Sequence, residues 1–330
     1  MKAVVCARRP MNTPAANMVE IVDLSPADAL LPILECVSNS IISLSQSSLP
    51  IGKREITVEV VRQPPPDGSL FLDVTPIKDV RVTDNGIGFN DKNLKSFETP
   101  HSNILRGHGC LGVGRFTVLA AFQKMEIRSN FQVNGHWKYR KLEFDVANEV
   151  NMIVDRDSEE RTNQTVVEIQ GLFNQSLIDE TAVPLETIAK EIMEHFLIFY
   201  LSDNLPQITV RESDESAPPQ SVNKLYEAVA KDNEATFSIM GQEFKAYITR
   251  HPRITSRKHH YVHYCADSRV VGRGKPLGAL DSIFNYPLLN EAAQSFLDVF
   301  VVSEYLNRRK TPVRNSNSVS QGSVLKYWSR

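Results

Sequence analysis

Three separated stretches of the 330-residue chain hold side chains whose types and spacing suit chemistry. The first is Glu35 with Asn39, in LECVSNS. At i and i+4 of a helix the two share one face. An ionised carboxylate among Leu, Ile and Val needs a partner or a task. A carboxylate beside an amide oxygen can hold a water and an octahedral magnesium ion; the same pair also suits the half-exposed surface of a helix. The second stretch is Asp84-Asn85-Gly86-Ile87-Gly88-Phe89. Its Asp can accept a hydrogen bond from an exocyclic amine, while Gly86 and Gly88 let the backbone pass close to a flat ring. Asn-Gly is equally a hairpin turn. The third is Gly107-His108-Gly109-Cys110-Leu111-Gly112-Val113-Gly114-Arg115-Phe116. Amides bared by glycine at a helix start cradle phosphate, which makes Gly109, Gly112, Val113, Gly114 and Arg115 the candidates. The stretch has neither the Lys-Ser/Thr of a P-loop nor the register of a dinucleotide fold. Of the 15 glycines in the chain, six lie between Gly86 and Gly114, so unusual backbone shape is concentrated in one region.

The elements that must position these groups follow from periodicity. Ser25-Pro26 reads as the cap and first residue of a helix running to about Ser47. Its apolar positions wrap much of the circumference, so it should be largely buried. Residues 18–24 alternate like an edge strand. Strands are expected at 54–62, 70–74, 79–84, 125–133, 136–145 and 165–170, with a helix at 113–123. Helices on one side and hairpin-connected strands on the other give an α/β two-layer sandwich with a mixed sheet. A second strong helix, 183–202, either closes this domain or opens a smaller α/β domain. We place the domains at 1–175 and 176–330, with strands at 235–240, 243–249, 260–265, 268–272 and 296–302.

Composition bounds the alternatives. Apolar residues make up 42% and charged residues 23%, a globular balance that excludes wholesale disorder. A net charge of −2 (37 basic against 39 acidic residues) excludes a uniformly nucleic-acid-binding surface but not a basic patch. Cys6, Cys36, Cys110 and Cys265 form no CxxC pair and read as free thiols of a reducing compartment. No uninterrupted apolar run approaches the roughly 18 residues of a membrane span, and the N-terminus is too short in apolar residues for a secretory signal. The expectation is a soluble cytoplasmic protein with no membrane partner.

Taken in order, these stretches resemble the GHKL ATPase superfamily: gyrase-type topoisomerases, MutL-type repair proteins, heat-shock chaperone ATPases, MORC proteins and histidine kinases. LECVSNS resembles the first box, with Glu35 where the family has its general base and Asn39 where it has its magnesium ligand. VTDNGIGF resembles the second, with Asp84 at the adenine-reading position. GCLGVGRF resembles the lid segment of the chaperone and MORC branch, and Ser102-Asn103 stands where its common Ser/Thr-Lys pair lies. QTVVEIQGLF resembles the strand whose threonine, here Thr165, helps the aspartate hold adenine. The match covers roughly residues 20–175. The resemblance implies a Bergerat-type ATP-binding domain followed by a transducer-like domain, with ATP and Mg2+ as ligands. It implies slow ATP hydrolysis coupled to a conformational switch and to contact with a second copy or a partner chain. A MORC-like eukaryotic member would be nuclear. Three departures bear on lid ordering and hydrolysis rate: Ile42 replaces a frequent acid, Gln164 a frequent glycine, and Asn103 the lid lysine. A nucleotide-binding scaffold with little hydrolysis is therefore the second reading.

In the second domain, the resemblance implies a basic residue reaching the γ-phosphate. YLNRRKTPVRN offers Lys310 first and Arg314 second; a solvated basic loop is the plainer alternative. Residues 250–275 hold seven Lys/Arg and one Asp and could meet a nucleic-acid backbone, as a DNA-associated clamp would, or form a solubilising face. His259, His263 and Cys265 alternate along one strand, a sparse start for a metal site.

Overall fold

The computed structural model describes residues 7–9, 14–65, 74–99, 114–202, 204–227, 230–252, 259–266, 269–270, 274–290 and 293–308. The chain divides into two compact units: Met1–Ile192 with Leu205–Asn223, and Met193–Asn204 with Lys224–Arg330.

Among the described residues, nine strands form the sheet of the first unit: β1 (Ala7–Arg9), β2 (Glu55–Arg62), β3 (Ile77–Asp84), β4 (Phe122–Val133), β5 (His136–Asp145), β6 (Glu149–Asp157), β7 (Gln164–Leu172), β8 (Gln207–Glu212) and β9 (Gln220–Ser221). Their order is β1-β6-β5-β4-β7-β3-β2-β8-β9. Only β2 and β8 run parallel, so the sheet is mixed, as expected. Helices α1 (Ala15–Glu20), α2 (Leu31–Ser45), α3 (Asp91–Glu98), α4 (Gly114–Leu119) and α5 (Gln175–Ile178) precede α6 (Leu185–Leu201), within which the division between units falls. Helix α2 packs on β2 and β3; Ile33, Val37, Ile41 and Leu44 of the helix and Ile56, Val58, Val80 and Val82 of the strands are all buried. Burying a side chain of this size contributes about 1.5–3 kcal/mol.

The alternation of β3 is what makes the site. Ile77 is buried, and so are Val80, Val82 and then Asp84. The strand's apolar face thus ends by carrying a carboxylate into the layer beneath α2.

Several expectations are corrected. Residues 18–24 do not form a strand. Ala15 and Met18, three apart, are buried and pack α1 toward α4, so helical spacing outweighs alternation there. The helix expected at 113–123 stops at Leu119, because Phe122 already pairs with Leu172 in the sheet. The helix expected from Ser25 begins as a 3-10 turn, Pro26–Asp28, before α2. Strand β6 was not anticipated. Neither was β8, whose pairing with β2 returns residues 205–223 to the first unit, where the sequence suggested a boundary at 175. The strand expected at 70–74 lies almost wholly outside the described residues. The stretch Pro26–Ser45 is long and apolar enough by composition to cross a bilayer, yet its residues form the buried core helix just described.

Besides the second part of α6, the second unit takes in most of α7 (Val222–Glu227) and all of α8 (Glu304–Arg308). Its sheet comprises β10 (Ala230–Ile239), β11 (Gln242–Pro252), β12 (Tyr261–Ala266), β13 (Arg269–Val270), β14 (Lys275–Pro276), β15 (Leu288–Asn290) and β16 (Ala293–Val302). The central order is β10-β11-β16-β12-β13, and β12 runs parallel to β16. Phe244, Ala246, Val262, Ala266, Leu277, Val301 and Leu306 form its core.

Candidate functional site

Glu35, Asn39 and Ser43 stand four residues apart on α2 and so form one stripe along it. The stripe is about 12 Å long from the helical rise alone. At its start, Glu35 is half-buried and its carboxylate lies against Gly114, the first residue of α4. A Cβ at 114 would overlap Glu35 Oε2, so the glycine is what admits the carboxylate. Asn39, one turn on, is exposed.

At the stripe's other end sits Asp84, only 4% exposed. Ser40 Oγ donates to its Oδ2 at 2.9 Å. Ser43 Oγ donates to Oδ1 at 3.3 Å, as does Gly86 N–H at 2.9 Å. Burial pushes the Asp84 carboxyl up to about 6, while the three donors pull the other way. Among the described residues the carboxylate has hydroxyls and an amide for company rather than a cation, which is why desolvation wins.

The loop after Asp84 is pinned throughout. Asn85 Oδ1 accepts from Glu55 N–H at 2.9 Å. Ile87 N–H donates to Ser43 C=O at 3.4 Å. Gly86 leaves no room for a side chain beside Ser43, and Gly88, at φ +77°, faces Phe131 and Ser129. Both glycines are thus required by close approach, and Gly88 by backbone conformation as well.

Strand register brings Thr165 next to Asp84. The two are direct partners between β3 and β7, and Thr165 pairs in turn with Ser129 on β4 and Ser129 with Arg140 on β5. Directly paired residues share a face, so Asp84, Thr165, Ser129 and Arg140 form one buried row. Ser129 and Thr165 hydroxyls are 2.9 Å apart. Ser129 Oγ also accepts from Phe89 N–H at 2.9 Å. Arg140 donates to Phe89 C=O at 2.9 Å and, at 2.7 Å each, to Asp91 and Asp155.

Structure thus joins Glu35 to Gly114 at one end of α2 and Asp84, Gly86 and Thr165 at the other, with Asn39 between. The contact expected of Arg115 is through its backbone amide at the start of α4, and its side chain lies inside the protein. Its side chain is buried, with the guanidinium carbon 5.2 Å from the Phe97 ring centre and 4.6 Å from that of Phe116. Stacked there, it ties α3 to α4. Ser102, Asn103, Gly109, Gly112, Val113, Lys310 and Arg314 lie outside the described residues, as does much of 250–275. His263 stacks on Phe300 at 4.8 Å, and burial pushes the Cys265 thiol up to about 12. Among the described residues no three His, Cys, Asp or Glu side chains gather as metal ligands. Sequence reasoning missed Ser40, Ser43, Ser129 and Arg140. The local signal was a set of four serines, Ser38, Ser40, Ser43 and Ser45, within one largely buried helix.

The likeness to solved structures extends over nearly the whole chain. The N-terminal domain of a DNA repair protein matches at 11% identity with a TM-score of 0.54, over 95% of this chain and 94% of that one. The ATPase domain of Aquifex aeolicus MutL, solved with ADP, is matched at 14% identity with a TM-score of 0.42, over 85% and 97%. No family model and no curated relative matches the sequence. At such identities it is the fold that is shared. The chain shares the fold of that DNA repair protein's N-terminal domain, a mixed α/β sandwich followed by a second sheet-based unit.

Proposed function

We propose that this protein binds ATP with magnesium, hydrolyses it slowly, and uses nucleotide state to switch conformation or contact with a second copy or partner chain. The observation that carries the reading is the buried Asp84 carboxylate, held by Ser40, Ser43 and Gly86 and flanked by Thr165. Such a group accepts from a purine's exocyclic amine. The α2 stripe from Ser43, beside Asp84, to Glu35 would separate the base end of the nucleotide from its phosphate end. Glu35, beside Gly114, would orient the attacking water and take its proton. Asn39 supplies an amide oxygen in reach of water, a hard donor that fits Mg2+. When bound, the ion supplies positive charge to the phosphate oxygens. The segment from Gly109 to Gly114 would cradle phosphates, Ser102 and Asn103 would line the lid, and Lys310 would reach the γ-phosphate.

Phosphate release at saturating ATP and magnesium, paired with calorimetric ATP binding, tests this. Glu35→Ala is expected to abolish turnover while leaving ATP affinity within about threefold. Equal turnover in the variant removes Glu35 from its role, and a wild type that binds no ATP overturns the function. A DNA-associated clamp is a second reading, favoured by the basic stretch 250–275. Salt-dependent DNA retention by the full chain tests it, the retention weakening as salt rises.

A further inference from the structure

The polar row beneath α2 carries a directional hydrogen-bond argument. Ser129 is 0% exposed. Its oxygen accepts from Phe89 N–H and lies 2.9 Å from Thr165 Oγ1. A serine hydroxyl has one hydrogen, and a buried one lacking an acceptor is costly. The Phe89 amide can only donate. Thr165 Oγ1 is therefore where the Ser129 hydrogen goes. The opposite direction would strand that hydrogen in a fully enclosed position. Thr165 must accept from Ser129, and its own hydrogen is left without an acceptor among the described residues.

The neighbouring carboxylate can be counted in the same way. An ionised Asp offers about four acceptor positions. Gly86 N–H and Ser43 O–H occupy two on Oδ1 of Asp84, and Ser40 O–H one on Oδ2. One position on Oδ2 remains. Adjoining strands therefore present one acceptor beside one donor. A 6-aminopurine edge offers a donor at the amine and an acceptor at N1, in matching order. A 6-oxopurine offers an acceptor at position 6 and N1–H as donor, with both signs reversed.

We propose that Ser129 is a specificity-determining residue that, by donating to Thr165, turns the Thr165 hydroxyl into a fixed donor and selects 6-aminopurine over 6-oxopurine nucleotides. The inference rests on the reading of Asp84 and Thr165 as base contacts. Without Ser129, the Thr165 hydroxyl can rotate to donate or accept, and the site loses its polarity.

The test is calorimetric titration of the full chain with ATP and with inosine triphosphate, which differs in the 6-substituent and in the N1 proton it brings. The wild type is expected to prefer ATP by roughly a hundredfold, since the wrong base leaves two buried groups unmatched. Ser129→Ala should narrow that preference about tenfold or more. Thr165→Val should narrow it to a similar level, and the double variant should narrow it no further. Ser129→Cys, with a weak donor of similar size, should narrow it as well, and carries the test if the alanine variant does not fold. An unchanged preference in Ser129→Ala or Ser129→Cys overturns the proposal, as do effects of the two single variants that multiply in the double. A purely structural role would lower both affinities together and leave their ratio intact. If the wild type binds neither nucleotide, the proposed function itself fails, a result distinct from ATP binding with an unaltered ratio.

Discussion

The first unit's sheet holds its carboxylates in two different ways. On the face away from α2, six adjacent strands carry a ladder of paired ions. Arg211 donates to Glu59 at 2.7 Å, and Glu59 also pairs with Arg81. Arg81 and Arg128 both approach Glu168, at 3.6 and 2.7 Å. Arg128 and Lys141 flank Glu126 at 3.4 and 2.9 Å. Each of these three carboxylates has two cations. On the α2 face Arg140 pairs with Asp91 and Asp155 at 2.7 Å, whereas Asp84 has no cation partner among the described residues. The first face spreads its charge over neighbours that neutralise it, the usual condition for keeping carboxylates in a sheet. Asp84 keeps its charge with no cation among the described residues and with one acceptor position open to an incoming donor. A site that must accept a ligand's proton-bearing group cannot also satisfy itself fully.

Asp84→Asn breaks the comparison most severely. Nucleotide affinity is expected to fall at least about a hundredfold, since a buried acceptor becomes partly a donor. Stability should move the other way. The shift from 3.8 to about 6 corresponds to roughly 3 kcal/mol of destabilisation when the charge is buried. Urea unfolding at pH 7 should find the variant at least as stable as the wild type. A variant that is both less stable and still ATP-binding would refute the contrast.

Acid titration sharpens it with a smaller effect. The folded state holds the Asp84 proton more tightly than the unfolded chain does. The penalty is therefore full above about pH 6 and vanishes below 3.8. Across that window, Asp84 by itself favours the folded state increasingly as pH falls. ATP binding needs the ionised form and should weaken by about tenfold for each pH unit below 6. Calorimetry at pH 7, 6 and 5 checks the slope, and Asp84→Asn should lack it.

The open face should respond least. Glu59→Gln removes the partner of Arg81 and Arg211, whose side chains are 37% and 48% exposed. Water can take over part of their solvation, so the expected loss is about 1 kcal/mol. ATP affinity should stay within about twofold, as measured by the same titration. A large affinity change would mean that the two faces are coupled.

Much of the core was legible. The β2, β3 and β5 spans, the buried helix and the glycine-dependent loop all follow from patterns within a dozen residues. The misreadings arose where local pattern met a distant partner. Residues 18–24 alternate, but Met18 is claimed by the packing of α1. Phe122 continues a helical pattern, but Leu172 draws it into the sheet. Strand β8 owes its place to β2, about 150 residues earlier in the chain.

The candidate site divides along the same line. Residue order alone determined that Asp84 ends a strand, that glycines follow it, and that Glu35 and Asn39 share a helix face, because turn chemistry and helical period act over a few residues. Tertiary structure alone decided that Ser40 and Ser43 would grip Asp84 from 44 and 41 residues away and that Ser129 would meet Thr165 from 36. It also decided that the Arg115 side chain would stack on Phe97 and Phe116. Such contacts depend on strand register and on how the helix lies across the sheet, and a one-residue slip in either would leave the local sequence signals unchanged while undoing every one of those bonds.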